Sequence, residues 1–189
     1  MNILRLKTAS LPLLVTLAIF SVGASLNANA ADAQKKTQAD LLAVLPQAKL
    51  SLADGIRQAT GQGETPLSAK FEFDDEGKLS LSVYVAGKGA GVAAENNVLK
   101  ELSGDATAGK WKPKTEVFAD VPHVARSAQQ LTLIAIGHTE LTKVIDRAQQ
   151  EHRGKVYSIT PMLVNNTPQI SVLLINNGKS SEYTYQISK

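Results

Sequence analysis

The stretch "HTELTKVIDRAQQEHRGKVYSITPMLVNNTPQISVLLINNGKSSEYTYQIS" at residues 138–188 decides the predicted fold, because its hydrophobic pattern changes once from helical to strand periodicity. Four apolar side chains at positions i, i+3, i+4 and i+7 predict the buried face of a helix: Leu141, Val144, Ile145 and Ala148. Thr139 is the predicted N-cap of this helix. Gly154 is predicted to end it in the left-handed conformation.

Three antiparallel strands are predicted after this helix. Residues 155–164 alternate in part, and "QISVLLI" at 169–175 is rich in β-branched residues. Asn177-Gly178 predicts a tight hairpin, because both residues tolerate the positive φ of a type I′ turn. The last strand alternates strictly, with two tyrosines on one face. Since the apolar helix stripe and the apolar sheet face must bury each other, the predicted class is α+β, with a helix packed on a small antiparallel sheet.

An earlier stretch repeats this plan in looser form. Leu52, Ile56 and Ala59 align without a gap on three of the apolar positions of the second helix. Ser51, followed by Asp54 three residues later, predicts a capped helix start. "KFEFDDEGKLSLSVYVAG" at 70–87 then predicts a hairpin. We therefore predict two tandem units, the first at 47–120 and the second at 121–189.

The first unit carries an insertion at 87–110, which begins with the glycine-rich "GKGAG". Four further elements are predicted within and after it: a helix in "VAAENNVLKEL" (92–102), a delayed third strand at 112–119, a connector helix "HVARSAQQ" (123–130) opened by Pro122, and a buried strand "LTLIAI" (131–136).

Residues 1–30 have the pattern of a secretory signal peptide. Arg5 and Lys7 form a positive n-region, 11–22 is an apolar run of signal-peptide length, and Ala28-Asn29-Ala30 matches a cleavage site. An uncleaved membrane anchor is the alternative interpretation. Residues 31–46 are predicted to be a flexible leader and a short apolar segment. We expect a periplasmic or secreted protein without stable membrane insertion after cleavage.

Composition narrows the function classes further. The full chain carries a formal charge of +3, but residues 1–30 hold two of the 20 basic side chains and none of the 17 acidic ones. The remainder, 18 basic against 17 acidic, is nearly balanced, and no basic run is interleaved with aromatic residues, so nucleic-acid binding is not expected. The chain contains no cysteine. That excludes disulfides, thiol catalysis and cysteine-based metal sites.

No catalytic, metal or cofactor site is predicted. His123, His138 and His152 lack the spacing of a helical metal pair and are expected to be surface or capping residues, with a pH-sensitive contact as the alternative. "GKGAG" lacks the complete phosphate-binding motifs, so a flexible loop is favoured over an anion cradle. "DDE" at 74–76 favours a turn over a calcium site.

Three residues are candidates for contact with a partner. Trp111, the only tryptophan, borders the insertion and is flanked by two lysines. Tryptophan is enriched at interface hot spots, although a tryptophan that covers the sheet is the simpler interpretation. Gly89 and Gly91 are the candidate partner-binding residues of the glycine-rich loop.

The helix, the glycine-containing turn and the hairpin with a tyrosine-rich last strand together resemble PepSY domains. The resemblance covers 139–188 and, less completely, 51–85 and 112–119. The sequence departs from a typical PepSY domain in two respects: its helices lack the alanine-rich spacing, and it has the insertion at 87–110. The resemblance implies an exported bacterial protein that acts on a peptidase, and it transfers no catalytic residues.

The expected function is therefore an exported, non-enzymatic binding protein that acts on a protein partner, with inhibition or modulation of a peptidase implied by the resemblance. The expected mode is pairing of a sheet edge with an extended segment of the partner. The alternative is a periplasmic protein that binds a small ligand or an ion in the groove between the units or at the 87–110 loop.

Overall fold

The computed structural model describes residues 36–187. It contains seven strands and four α-helices, which follow one another as α1 (Gln38–Val44), α2 (Leu52–Ala59), β1 (Thr65–Phe73), β2 (Leu79–Ala86), β3 (Leu99–Asp105), β4 (Lys114–Val117), α3 (Val121–Gly137), α4 (Leu141–His152), β5 (Lys155–Val164), β6 (Thr167–Asn176) and β7 (Lys179–Gln186). The predicted signal peptide at 1–30 lies outside the described residues.

All seven strands belong to one antiparallel sheet, in the order β4-β3-β2-β1-β5-β6-β7. The predicted α+β class is confirmed. The prediction placed a small sheet in each half of the chain, whereas the structure joins the halves into one sheet through their first strands, β1 and β5. In both halves a helix precedes three strands that lie side by side in chain order.

The junction between β1 and β5 is short. It consists of the pairs Ala69↔Ile159 and Lys70↔Ser158. A bulge in β1 between Pro66 and Ser68 lies beyond one end of the junction, and a bulge in β5 between Val156 and Ser158 marks the other end. Because a bulge bends its strand and interrupts the hydrogen-bond ladder, β1 and β5 separate beyond these points.

The helices cover both faces of the sheet. Alternate residues of β2 divide between two clusters: Val83 lies in the main core with α2 and α4, whereas Ala86 packs with Leu131 of α3. Hence α2 and α4 share one face, and α3 crosses the other. The main core contains the predicted apolar positions of both helices, which are Leu52, Ile56, Ala59, Leu141, Ile145 and Ala148.

Helix α3 corrects the prediction for 123–136. The predicted connector helix and the predicted strand "LTLIAI" form one helix of 17 residues. Its buried positions include Ser127, Gln130, Leu131 and Ile134, which have helical spacing. Gln130 is only 2 % exposed, and its Oε1 accepts a hydrogen bond of 3.0 Å from Ser68 Oγ. The buried polar residues hid the helical stripe, and the apolar run alone suggested a strand.

The insertion contains a strand in place of the predicted helix. Within 92–102 the structure has a three-residue 3₁₀ helix (Ala94–Asn96) and the start of β3. Strand β3 pairs along β2 from Leu99↔Ala86 to Asp105↔Ser80, and these pairs outweigh the local helical preference. The predicted strand at 112–119 is the edge strand β4.

The helix ends confirm one predicted cap and correct two others. Ser51 Oγ accepts a hydrogen bond of 3.1 Å from the backbone N–H of Asp54, as predicted. Helix α4 instead begins after Glu140, without a side-chain cap, so Thr139 is not the N-cap. Arg153, not Gly154, takes the left-handed conformation at its end. A Cβ at position 154 would lie 2.0 Å from Leu174 Cδ2, so glycine there permits close packing.

The hairpin turns agree with the sequence. Asn177 and Gly178 have φ values of 48° and 74°, which confirms the predicted type I′ turn. Gly77, with a φ of 73°, ends the predicted turn after Asp74. Within residues 36–187, none of the helices combines the length and the apolarity that a membrane span requires.

Candidate binding surfaces

Strand β7 is one edge of the sheet, and its outer side offers unpaired backbone groups. The two-residue turn makes Asn176↔Lys179 a hydrogen-bonded pair, and such pairs recur at every second position of an antiparallel ladder. Ser180, Glu182, Thr184 and Gln186 therefore direct their N–H and C=O groups outward. Within residues 36–187, no strand pairs with this side of β7.

The inner face of β7 forms a cleft with α4. The ring of Tyr183 stacks on His152, with centroids 3.5 Å apart. Tyr185 donates a hydrogen bond of 3.0 Å to Glu151, and the guanidinium of Arg147 lies 5.2 Å from the Tyr185 ring centroid. These five side chains line an open cleft of about 640 Å³ beside the free edge. An added strand would therefore place alternate side chains against them.

Neighbouring side chains in this cleft shift one another's pKa values. Hydrogen bonds from Arg147 Nε, at 2.7 Å, and from Tyr185 lower the pKa of Glu151. Partial burial and the bond to Glu151 raise the pKa of Tyr185 to about 12. On the opposite face, Ser171 Oγ donates to Glu182 at 2.5 Å. The polar side chains of this edge are thus held in place by specific partners.

The other edge of the sheet is shorter and carries charged side chains. Strand β4 has four residues, all exposed, and pairs with Lys100–Ser103 of β3. Its sequence carries Lys114 and Glu116, and charged side chains on a short strand are a common protection of sheet edges. The β7 edge offers twice that length.

A second candidate surface is a cavity of about 690 Å³ where α2 and α3 end and α4 begins. Apolar groups make up most of its lining, and Ile56, Ile134 and Leu141 are among them. All three are almost fully buried. The cavity lies between the two halves, where the alternative interpretation, a small-ligand-binding protein, expects a groove. Gly91 of the glycine-rich loop contributes to its wall.

The three predicted partner-binding residues are not brought together. Trp111 is 5 % exposed, and its Nε1 donates to Gly104 O at 3.3 Å, which agrees with a tryptophan that covers the sheet. Gly89 has a φ of 77°, and a Cβ there would lie 2.6 Å from Gly63 O, so its role in the structure is close backbone packing. Gly91 alone is exposed beside a cavity.

The glycine-rich loop is organised by Asn97, for which no role was predicted. Asn97 accepts a hydrogen bond from Lys88 N and donates two, to Gly89 O and Val92 O, each of 2.9 Å. The loop is followed only by the short 3₁₀ helix, so the helix that the anion-cradle alternative requires is not present there. Asn97 lies two positions before β3, and a single polar residue there carries no pattern that could have predicted this role.

The three histidines occupy separate places. His123 contacts Asp120 at 2.8 Å and stacks on Phe118, and His138 ends α3 in the left-handed conformation at the wall of the cavity. His152 lies in the β7 cleft. Among residues 36–187, no group of histidine, aspartate and glutamate side chains has the arrangement of a metal site.

Comparisons with protein families, curated proteins and solved structures find no match to this chain.

Proposed function

We propose that the protein is an exported, non-enzymatic binding protein that takes an extended segment of a protein partner as an eighth strand along β7. The observation that carries this proposal is the free side of β7, with outward N–H and C=O groups at Ser180, Glu182, Thr184 and Gln186. Backbone pairing supplies affinity in strand addition, and pockets for alternate side chains supply specificity. The cleft with α4 supplies such a pocket.

The proposal includes two tandem PepSY-like units and a peptidase as the partner. Two observations support the units: α2–β1–β2–β3 and α4–β5–β6–β7 have the same order, and both helices lie on one face of the sheet. The peptidase rests on the resemblance to PepSY domains alone. Export rests on residues 1–30, and an exported chain that begins at Ala31, measured by mass spectrometry, is the expected result.

The first experiment replaces Thr184 with proline. The N–H of Thr184 points away from β6, so proline there removes an outward donor without breaking a bond inside the sheet. T184P is expected to keep its circular dichroism spectrum and to lose partner capture from the exported fraction. T184V retains the backbone N–H and is expected to capture the partner as the wild type does.

Hydrogen exchange gives the corresponding evidence on the backbone. The amides of Ser180, Glu182, Thr184 and Gln186 should exchange rapidly in the free protein and slowly in the complex, while the amides that pair with β6 change little. Protection elsewhere, with unchanged exchange at these four, would assign the partner to another surface.

A separate assay tests whether the partner is a peptidase. The captured partner is assayed for casein hydrolysis with and without the protein. Inhibition by the wild type and by T184V, but not by T184P, is expected. A captured protein without peptidase activity would refute the peptidase assignment and leave strand addition intact.

A further inference from the structure

We infer that the cavity between α2, α3 and α4 is a binding site for one uncharged, mainly apolar small molecule that carries a hydroxyl or carbonyl oxygen. This site is separate from the β7 edge, and it adds a ligand to a protein proposed to bind a peptide segment. The volume of about 690 Å³ lies within the range of ligand cavities in proteins.

The floor of the cavity favours an apolar ligand. Apolar groups make up most of the exposed lining, and Ile56, Ile134 and Leu141, each at most 3 % exposed, form the packed floor beneath it. A ligand that fills the cavity removes its own apolar surface and the exposed apolar part of the lining from water, and this burial is the main favourable term in such binding.

The charges at the rim favour an uncharged ligand. Besides the titratable His138, three charged side chains line the cavity, and each of the three already has an opposite charge outside it: Arg57 pairs with Asp54 at 2.7 Å, Glu140 with Lys143 at 2.7 Å, and Glu64 with Lys100. A ligand charge held against the apolar floor would lose water and would have to compete with these three ion pairs for a counter-charge. That loss is costly.

Hydroxyl groups on the wall provide the polar contact. Thr65, Thr139 and Thr142 line the cavity. Within residues 36–187, their hydroxyls make no hydrogen bond to another protein group, whereas the nearby Thr60 hydroxyl donates to Ile56 O at 2.8 Å. A threonine hydroxyl both donates and accepts, so these groups can orient a ligand hydroxyl or carbonyl without requiring a charge.

The test compares two dyes with the same aromatic frame. N-phenyl-1-naphthylamine is uncharged, and 8-anilino-1-naphthalenesulfonate carries a sulfonate. The protein is purified as the cell processes it from the full-length gene. The uncharged dye is expected to bind saturably at one molecule per chain. The anionic dye should bind with an affinity at least about tenfold lower, and a tenfold difference corresponds to about 1.4 kcal/mol.

Matched glycine variants locate the binding. Positions 91 and 109 both have open space for a Cβ and no positive φ, so a side chain can be added at either without a clash at the Cβ. Only position 91 borders the cavity. G91F and A135F, which also fills the wall, are expected to weaken binding of the uncharged dye about tenfold. G109F should bind it as the wild type does.

Each other outcome overturns a stated part of the inference. Absence of saturable binding of the uncharged dye refutes the site, and equal affinity for both dyes refutes the uncharged ligand class. Wild-type binding by both G91F and A135F, with unchanged folding, places the dye elsewhere. T184P should retain dye binding, and G91F should retain partner capture, so failure at one site is distinguishable from failure at the other.

Discussion

Helices α2 and α4 occupy corresponding places on one face of the sheet, yet they approach it differently. The offset that aligns Ile56 with Ile145 also places Gly55 opposite Val144. A Cβ at Gly55 would lie 2.2 Å from Leu81 Cδ2, so the backbone of α2 packs directly on this leucine. Val144 is only partly buried and keeps its full side chain. Two helices with one apolar pattern can therefore dock on the same sheet by different contacts.

The capping of the two helices differs as well. Helix α2 has eight residues and starts with a serine cap, whereas α4 has 12 residues and no side-chain cap. The shorter helix has fewer internal hydrogen bonds and depends more on its end and on its packing.

The largest effect is expected from the matched core substitutions Ile56→Ala and Ile145→Ala. Both side chains are almost completely buried in one core, so each substitution should lower the free energy of unfolding by about 2–5 kcal/mol. Because the halves share a sheet and a core, urea unfolding followed by fluorescence and by circular dichroism should show one transition. Two separate transitions would mean that the halves unfold independently.

Gly55→Ala should destabilise the protein, although alanine favours helices over glycine by about 1 kcal/mol. The new methyl group meets Leu81, and overpacking of this kind costs about 1–3 kcal/mol. Thermal unfolding measures the loss. The double variant G55A/L81V should lose less than the sum of the two single variants, since valine lacks the clashing methyl group. Additive losses would contradict the contact.

Substitutions at the N-caps of α2 and α4 should change the free energy of unfolding in opposite directions. Ser51→Ala removes the Oγ that accepts a hydrogen bond from the Asp54 N–H and should cost about 1 kcal/mol. Glu140→Ser supplies the side-chain cap that α4 lacks and should stabilise by about 0.5 kcal/mol or more. Urea denaturation of both variants provides the comparison. A destabilised E140S would show that Glu140 does more for α4 than its exposed contact with Lys143.

The smallest effect is expected for stability at alkaline pH, because solvent screens the exposed contact of Tyr185 with Glu151. The pKa of Tyr185 is raised to about 12 from an ordinary value of 10, so the protonated phenol favours the folded state. This contribution is complete below pH 10 and is lost as the pH rises from 10 towards 12. Stability should therefore fall less steeply over this interval in Y185F than in the wild type. Parallel curves would refute the raised pKa of Tyr185, which burial and the bond to Glu151 cause.

Sequence patterns predicted the second half of the sheet well, because its connections are local. Helix α4 has a regular apolar stripe, and the turn at Asn177-Gly178 has a residue pair that specifies its geometry. In the first half, β3 follows a long loop held by Asn97, and its pairing with β2 cannot be deduced from its own residues. Buried Gln130 hid the helical stripe of α3, and the partner that satisfies it, Ser68, is 62 residues away in the chain.

The sequence predicted which kinds of surface to expect, a sheet edge and a groove between the halves, but not where they lie. Edge pairing was expected, but the sequence does not say which strands lie at the edges, since that depends on the junction of β1 with β5. The cavity arises where three helix ends meet. Gly91 was selected from its loop, whereas Thr65 and Thr139 had no pattern that placed them beside it.

The short junction of β1 and β5 has a consequence for the order of folding. Its two residue pairs join positions about 90 apart in the chain, whereas each hairpin joins neighbours. Closing so long a loop for so few hydrogen bonds is entropically unfavourable until other contacts form. We expect the hairpins to assemble first and the junction to close late, when α2 and α4 meet over it. The bulges that keep the junction short thus make its closure the step at which two partly folded halves become one protein.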